Sequence, residues 1–473
     1  MSNAPEIAGE TASASSDRLT LTSIVAATLL LTCASLATIA ILGGWPPMTT
    51  AATVFLGLFV VFEIIRVPRQ QLVTGGVLIA IGLLAALPSG GFLDVLKRAS
   101  EGTLIFAALF SAVAFLQYPA LNSPSMHAAR EVIVSQPPGR RYATLSAAAH
   151  LFGALTNFAT LSLLATFLHG KLEDTARERM ACAMIRGFAL AASWSPFFVS
   201  IAVILYVIPE LKWLQIALPG IPMAILVLVY GWAFDRATNR HPRTPEVATA
   251  SAPPLKFEPD VLRKIAVLAC TLVGMILATT EILDVSTPIA IFLVTPVISL
   301  TWQALLVRAR SNGTIPHMLR SVIRNIATLR SEIVMFISAN FLGYGLARII
   351  DADSIANLLL NIGIVNWIAI YALLVFMIIL TMLMIHPLVL IVLLGQVFPG
   401  EAIGVHPVSL ALCMTLLWGV GTTSSPGSGL TLFMTRALGK SPWYVAWKLN
   451  GAYAVGGMFV GGTYIAIINR WLL

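Results

Sequence analysis

The sequence predicts an all-α polytopic membrane protein, with about eleven transmembrane helices and two re-entrant hairpins in two inverted-topology repeats containing broken helices. Three observations predict it. The 473 residues are 58% hydrophobic and 11% charged, with mean hydropathy +0.88, whereas soluble domains carry about 25% charged residues. The apolar residues fall in runs of about 20, the length a helix needs to cross a bilayer. Landmarks of the first half return in the second at a nearly constant offset. Together these exclude a soluble globule, a disordered chain, a coiled coil and a disulfide-stapled module.

In chain order, residues 1–19 form a polar tail, expected to be disordered and cytoplasmic. Residues 20–42 are an extra first span, too long for a signal-peptide core and without a small-x-small cleavage site. Repeat 1 covers 48–234, with spans 48–65, 72–88 and 100–118, an interrupted hairpin 142–168, a broken span 181–208 and a final span 213–234. A polar, proline-rich cytoplasmic linker, 235–262, contains Arg240-His241-Pro242-Arg243 and Pro253-Pro254. Repeat 2 covers 263–473, with spans 263–282, 285–307 and 331–349, a hairpin 365–398, a broken span 405–437 and a final span 450–470. Eleven spans put the two termini on opposite sides, the N-terminus in the cytoplasm.

The net charge of +8 tests that count. With the N-terminus inside, 23 of the 29 Lys and Arg fall in cytoplasmic segments. Five, Lys97, Arg98, Lys212, Arg348 and Arg470, fall on the other side, and Arg186 lies within a span. This is the positive-inside pattern, so the basic balance is a topology signal and predicts no nucleic-acid partner. The expected location is a plasma membrane of bacterial inner-membrane type.

The repeat rests on three landmark pairs. Ser100-Glu101 and Ser331-Glu332 each open an apolar span, 231 residues apart. Thr156 and His386, in the interrupted stretches, stand 230 apart, as do Ser195 and Ser425 in the broken spans. Five spans per copy is an odd number, so the copies face opposite ways, as in secondary transporters.

A helix broken inside the bilayer exposes backbone groups that lipid cannot satisfy, so the breaks should line a cavity. Ser195 and Ser425 are expected to be N-caps, with Pro196 and Pro426 at the first helical position. Asn157 is expected to cap the second leg of the first hairpin, and Pro387 to begin that of the second. Helix N-termini converging there would favour an anion. The expected substrate-binding residues are Thr156, Asn157, Ser193, Ser195, Pro196, His386, Pro387, Thr422, Thr423, Ser424, Ser425, Pro426 and Gly427; Asn157, Ser195 and Ser425 are also the expected ion ligands. Gly419, Gly421, Gly427 and Gly429 make the second break open to a ligand, and the hydroxyls of Thr422, Thr423, Ser424, Ser425 and Ser428 are expected to add donors there, while Trp194, Phe197 and Phe198 make the first bulky.

One extra span, then two inverted copies of span, span, span, hairpin, broken helix and span, resembles the ion transporter superfamily of divalent-anion/sodium symporters and arsenite-type antiporters. The resemblance covers about 48–473 and is carried by Thr156-Asn157, Ser195-Pro196 and Ser425-Pro426. It implies small-anion transport, sodium near each hairpin tip, a transport domain moving against a scaffold, and a homodimer. Ile385-His386-Pro387 departs from the hairpin-tip pattern, which leaves sodium or a proton as coupling ion.

Of the other ionisable residues, His386 sits at a hairpin tip and either contacts the anion, carries a proton or is a neutral imidazole hydrogen-bonded to backbone. His150 is read as structural, Arg186 as snorkelling or lining cytoplasmic access, Glu101 and Glu332 as helix-start carboxylates, and Glu63 and Glu281 as interfacial. The four cysteines are dispersed, with no CxxC, so neither a metal site nor a disulfide is expected. No HExxH, GxSxG or Walker A pattern occurs, which argues against an enzyme. The alternatives are a cation/proton antiporter or arsenite-type exporter, and a membrane subunit of a binding-protein-dependent uptake system.

Overall fold

The protein is described by a computed structural model, covering residues 19–165, 168, 173–239, 258–309 and 313–472. The tail before residue 19 and most of the linker, 240–257, lie outside the described residues. It is an all-helical polytopic membrane protein, with ten helices long and apolar enough to cross a bilayer among the described residues.

The helices are α1 (Leu21–Gly43), α2 (Pro46–Glu63), α3 (Arg69–Ala86), α4 (Phe92–Asn122), α5 (Pro124–Val134), α6 (Pro138–Thr156), α7 (Phe158–Ala165), α8 (Asp174–Leu190), α9 (Val199–Val207) and α10 (Trp213–Thr238). The second half follows with α11 (Pro259–Leu283), α12 (Thr287–Arg308), α13 (Ile315–Ala327), α14 (Arg330–Leu346), α15 (Ala352–Asn361), α16 (Asn366–Met382), α17 (Pro387–Val397), α18 (Pro407–Leu416), α19 (Gly429–Leu438) and α20 (Gly451–Leu472). Proline marks many starts, as at Pro46, Pro124, Pro138, Pro259, Pro387 and Pro407. Its missing N–H is one that a first turn leaves unpaired anyway.

Element order recurs between the halves. The starts Pro124 and Ala352, Pro138 and Asn366, Phe158 and Pro387, and Val199 and Gly429 stand 228, 228, 229 and 230 residues apart. Packing is exchanged between the halves as well: α3 lies on α14, and α12 on α4. Three helices went unread in the sequence: α5, α13 and α15. α13 is amphipathic, with Met318, Val322 and Ile326 buried every four residues and Arg324 in its last turn. Its period is short and its charge high, so a search for apolar runs of 20 passes over it.

Two readings need correction. Ser100-Glu101 does not open a span: α4 begins at Phe92, and Glu101 pairs with Lys97 inside it. Glu332 does sit in the first turn of α14, so that landmark pair is not equivalent. Glu63 is not interfacial but 2% exposed, held by Arg66 Nη1 at 3.0 Å and Arg330 Nη1 at 3.1 Å. Apolar neighbours made the run look like a span end, yet the carboxylate joins α2 to the start of α14.

Ion pairs between distant segments respect the charge count. Arg330 meets Glu63, Arg179 meets Asp235 and Lys440 meets Glu178. Lys212 meets Glu281, and Arg348 meets Asp94. Each pair joins two segments that the charge distribution places on one face. Glu63→Gln should destabilise the purified protein by about 1–3 kcal/mol, less than a fully buried pair because both arginines are about one-third exposed. The check is thermal unfolding of the variant against the parent in one detergent.

Candidate functional site

Two helix interruptions in each half build the candidate site. In the first half α6 ends at Thr156 and α7 begins at Phe158, separated by Asn157 with φ +52°. Asparagine tolerates this region better than other side-chain-bearing residues. The next helix, α8, runs from Asp174 to Leu190, tightens over Ala191–Ser193, opens at Trp194 and resumes as α9 at Val199.

The second half repeats the arrangement. α16 ends at Met382, Met384 takes φ +71°, and α17 begins at Pro387. α18 passes through a π turn at Leu417–Gly421 and a last helical turn at Thr422–Ser424, then opens at Ser425 and resumes as α19 at Gly429.

Neither Ser195 nor Ser425 is an N-cap, which corrects that expectation. The second legs start four residues later, with Phe198 and Ser428 at the cap positions. Each Ser-Pro pair instead opens a turn, in which the serine carbonyl accepts from the N–H three residues on: Phe198 to Ser195 at 3.1 Å and Ser428 to Ser425 at 3.2 Å. Proline is favoured at the second position of such a turn, so Pro196 and Pro426 shape the gap rather than the helix. The cap in the second half is Ser428, whose Oγ accepts from the Thr431 N–H at 3.1 Å.

Each interrupted unit touches the break of its own half. Asn157 Nδ2 donates to the Phe197 carbonyl at 3.2 Å, and Ser195 Oγ donates to the Ala154 carbonyl at 2.5 Å. Asn157 therefore ties the first unit to the first break. In the second half a Cβ on Gly421 would stand 3.4 Å from Thr381 Cγ2, and one on Gly427 3.1 Å from Met384 Cε. The breaks also meet each other, since a Cβ on Gly419 would stand 3.1 Å from the Ala189 carbonyl oxygen. Thr156, Asn157, Ser193, Ser195 and Pro196 are thus gathered at one break and Thr422 to Gly427 at the other. His386 and Pro387 begin α17, with His386 Nδ1 accepting from the Leu388 N–H at 3.2 Å and its ring edge-on to Trp418 at 5.9 Å.

The hydroxyls at the second break do not offer the donors expected of them. Thr422 donates to Trp418 O at 2.6 Å, Thr423 to Val420 O at 2.7 Å, Ser424 to Gly421 O at 3.0 Å, and Ser428 to Thr422 O at 2.7 Å. With their protons committed to backbone, these groups can only accept from a ligand. Among the described residues several buried hydroxyls have no partner, and two of them lie here: Ser193 at the first break and Thr381 at the end of α16, both 0% exposed. Unpaired buried hydroxyls mark a site that is costly unless something binds there. Thr381 had a signal in the sequence, as the single hydroxyl in the apolar run 372–383.

Arg186 was misjudged from the sequence. It lies one turn before the first break, 5% exposed, about 18 Å along α8 from Asp174 at 1.5 Å per residue. It neither snorkels nor pairs with a carboxylate among the described residues. Nε donates to Asn450 Oδ1 at 2.9 Å, Nη1 to the Tyr142 hydroxyl at 3.1 Å and Nη2 to the Leu449 carbonyl at 2.7 Å, while the Tyr453 ring lies 4.4 Å away. Desolvating a charge costs far more than desolvating a neutral group, yet this guanidinium is met only by neutral acceptors and π faces. His150 bridges α6 and the first break: Trp194 Nε1 donates to its Nε2 at 3.1 Å, which leaves Nδ1–H to donate to the Gly187 carbonyl at 3.3 Å. Among the described residues no three His, Cys, Asp or Glu cluster as metal ligands.

The fold resembles two solved structures. The Alcanivorax borkumensis YdaH transporter, described as having an unusual topology, superposes with a TM-score of 0.56 at 12% identity, over 79% of this chain and 87% of that one. Neisseria gonorrhoeae MtrF, described as illuminating a class of antimetabolite efflux pumps, gives a TM-score of 0.48 at 9% identity, over 81% of this chain and 85% of that one. No family model and no curated protein matches the sequence.

Proposed function

We propose that this protein is a secondary active transporter that moves a small carboxylate-like anion by alternating access of elevator type, with sodium or protons as the coupling ion. The observation that carries the reading is the pair of repeat-related helix breaks, each touching its own interrupted unit and meeting the other at Gly419 and Ala189. Bilayers tolerate such irregular backbone only where protein covers it or a cavity adjoins it, and in transporters it forms the substrate and ion sites. The recurrence of element order and the exchanged packing of α3 with α14 and α12 with α4 support two copies of opposite orientation. The resemblance to the ion transporter superfamily, and a structural neighbour described as a transporter, support the same class.

Arg186 supplies a buried positive charge one turn from the meeting point, which favours an anion. The hydroxyls of Thr422, Thr423 and Ser424, whose protons are committed to backbone, are left as acceptors, which favours sodium as the coupling ion at the second break. In this reading the protein sits in a bacterial inner membrane with the N-terminus inside, and works as a homodimer.

The test is uptake of labelled carboxylates into proteoliposomes under a sodium or a proton gradient. Gradient-driven uptake is expected, and Asn157→Leu and Ser425→Leu, which put apolar bulk at the two breaks and in the first case remove the bond to the Phe197 carbonyl, should each reduce it at least about tenfold, about 1.4 kcal/mol in the barrier, while monodisperse protein is still recovered. Normal transport by both variants would misplace the site. Flux without any gradient dependence would remove the coupling.

A further inference from the structure

A cleft of about 740 Å³ lies between α11, α12 and the Thr156 end of α6, so that it reaches the outer side of the first interruption. Leu268, Leu272 and Met275 of α11 and Ile298, Trp302 and Leu305 of α12 form its walls. At one end stand Arg263 and Lys264, with side chains 75% and 64% exposed. At the other end are Leu155 and Thr156. The twelve residues from Arg263 to Met275 give the cleft a length of about 18 Å along the helix. Only Leu272 and Ile276 are fully buried on α11, so this helix borders the lipid for most of its length.

The chemistry of the cleft is divided along its axis. Arg263 and Lys264 share one carboxylate, Asp260, at 2.5 and 2.6 Å, which leaves one net positive charge at the mouth. That mouth lies on the arginine-rich side of the molecule, and a cationic group beside a bilayer surface draws anionic lipid. The throat is apolar, and its volume is in the range of ligand pockets. A soluble anion would leave the throat unfilled, and a neutral hydrocarbon would make no use of the cations. An amphiphile with a negative head and an acyl chain uses both.

We propose that this cleft holds one anionic phospholipid, with its phosphate at Arg263 and Lys264 and an acyl chain along Leu268 and Leu272 toward Thr156. The chain end would then rest against the residue at which α6 breaks. The lipid would act as a wedge between α11–α12 and the first interrupted unit, making the setting of that unit dependent on the bilayer. This binding is independent of the transport reading.

The experiment uses the full-length protein in detergent, with native mass spectrometry and thermal melting on addition of dioleoylphosphatidylglycerol or dioleoylphosphatidylcholine. The anionic lipid should be retained as a single adduct and raise the melting temperature, with at least tenfold weaker binding of the neutral one. Arg263→Gln with Lys264→Gln should bring the anionic lipid down to the level of the neutral one. Leu268→Trp, or Thr271→Trp where the first fails to fold, should fill the throat and remove the adduct while the protein stays monodisperse. Equal binding of the two lipids by the parent would overturn the proposal, as would an unchanged adduct in the tryptophan variants. The same holds if inorganic phosphate alone reproduces the stabilisation. A change of oligomeric state in the tryptophan variants, with lipid binding intact, would make the cleft an interface between copies and overturn it as well.

Discussion

Gly82→Leu is expected to abolish the folded protein, whereas Gly76→Ala, six residues earlier on the same helix, should leave it unchanged. α3 and α14 cross with backbone against backbone. A Cβ on Gly82 would overlap the Phe341 carbonyl oxygen, and one on Gly345 would overlap the Gly82 carbonyl oxygen. Gly75 faces the side chain of Ser338, while Gly76 has nothing within 4 Å. In lipid there is little hydrophobic drive to bring helices together, so association depends on close packing of small residues. A side chain at Gly82 has no flexible neighbour to displace. The cost lies beyond the usual overpacking range of about 1–3 kcal/mol, because the clash is with main chain. The measurement is the yield of monodisperse protein and its melting temperature. A well-folded Gly82→Leu would mean that the α3–α14 crossing is looser than described.

Arg186→Met should cost about 3–5 kcal/mol, since each hydrogen bond to a charged donor is worth about 1.5–3 kcal/mol and three are lost together without full additivity. Removing the guanidinium strands Asn450 Oδ1, the Leu449 carbonyl and the Tyr142 hydroxyl, and unties α8 from α6 and from the turn before α20. Arg186→Lys keeps the charge but cannot reach three separate acceptors with one ammonium group. It should therefore melt between the parent and the methionine variant. The two losses separate in transport: the lysine variant should retain anion selectivity at reduced flux, and the methionine variant should lose both. Unfolding of all three proteins at one temperature would show that the guanidinium does no bracing.

The proposed site was only partly legible in the sequence. Ser195-Pro196 and Ser425-Pro426 located both breaks because proline forbids a continuing ladder of N–H bonds, a local constraint that leaves a local mark. The same residues misled about capping. The helix resumes only at Val199, and the Ser195 hydroxyl accepts from the Phe197 N–H while donating to Ala154, 41 residues away, a partner that no local pattern records. Thr422 to Ser424 read as donors because a hydroxyl in sequence carries no direction; in the fold their protons return to their own helix. Arg186 read as snorkelling or lining cytoplasmic access because its partners, Tyr142, Asn450 and Tyr453, are 44, 264 and 267 residues distant and share no motif with it.

By itself, the sequence determined that the chain lives in a bilayer, the approximate place of most of its spans and where two of the helices break. These follow from the length of apolar runs, the placement of Lys and Arg, and proline, all properties that a residue imposes on its own neighbourhood. Only the tertiary structure decided that the two breaks meet at Gly419, that Glu63 and Arg186 are buried, and that a cationic mouth opens onto an apolar cleft. Those depend on which faces of distant helices come into contact. Nearly every face of a membrane helix is apolar, so a one-dimensional pattern does not record which face is buried against protein.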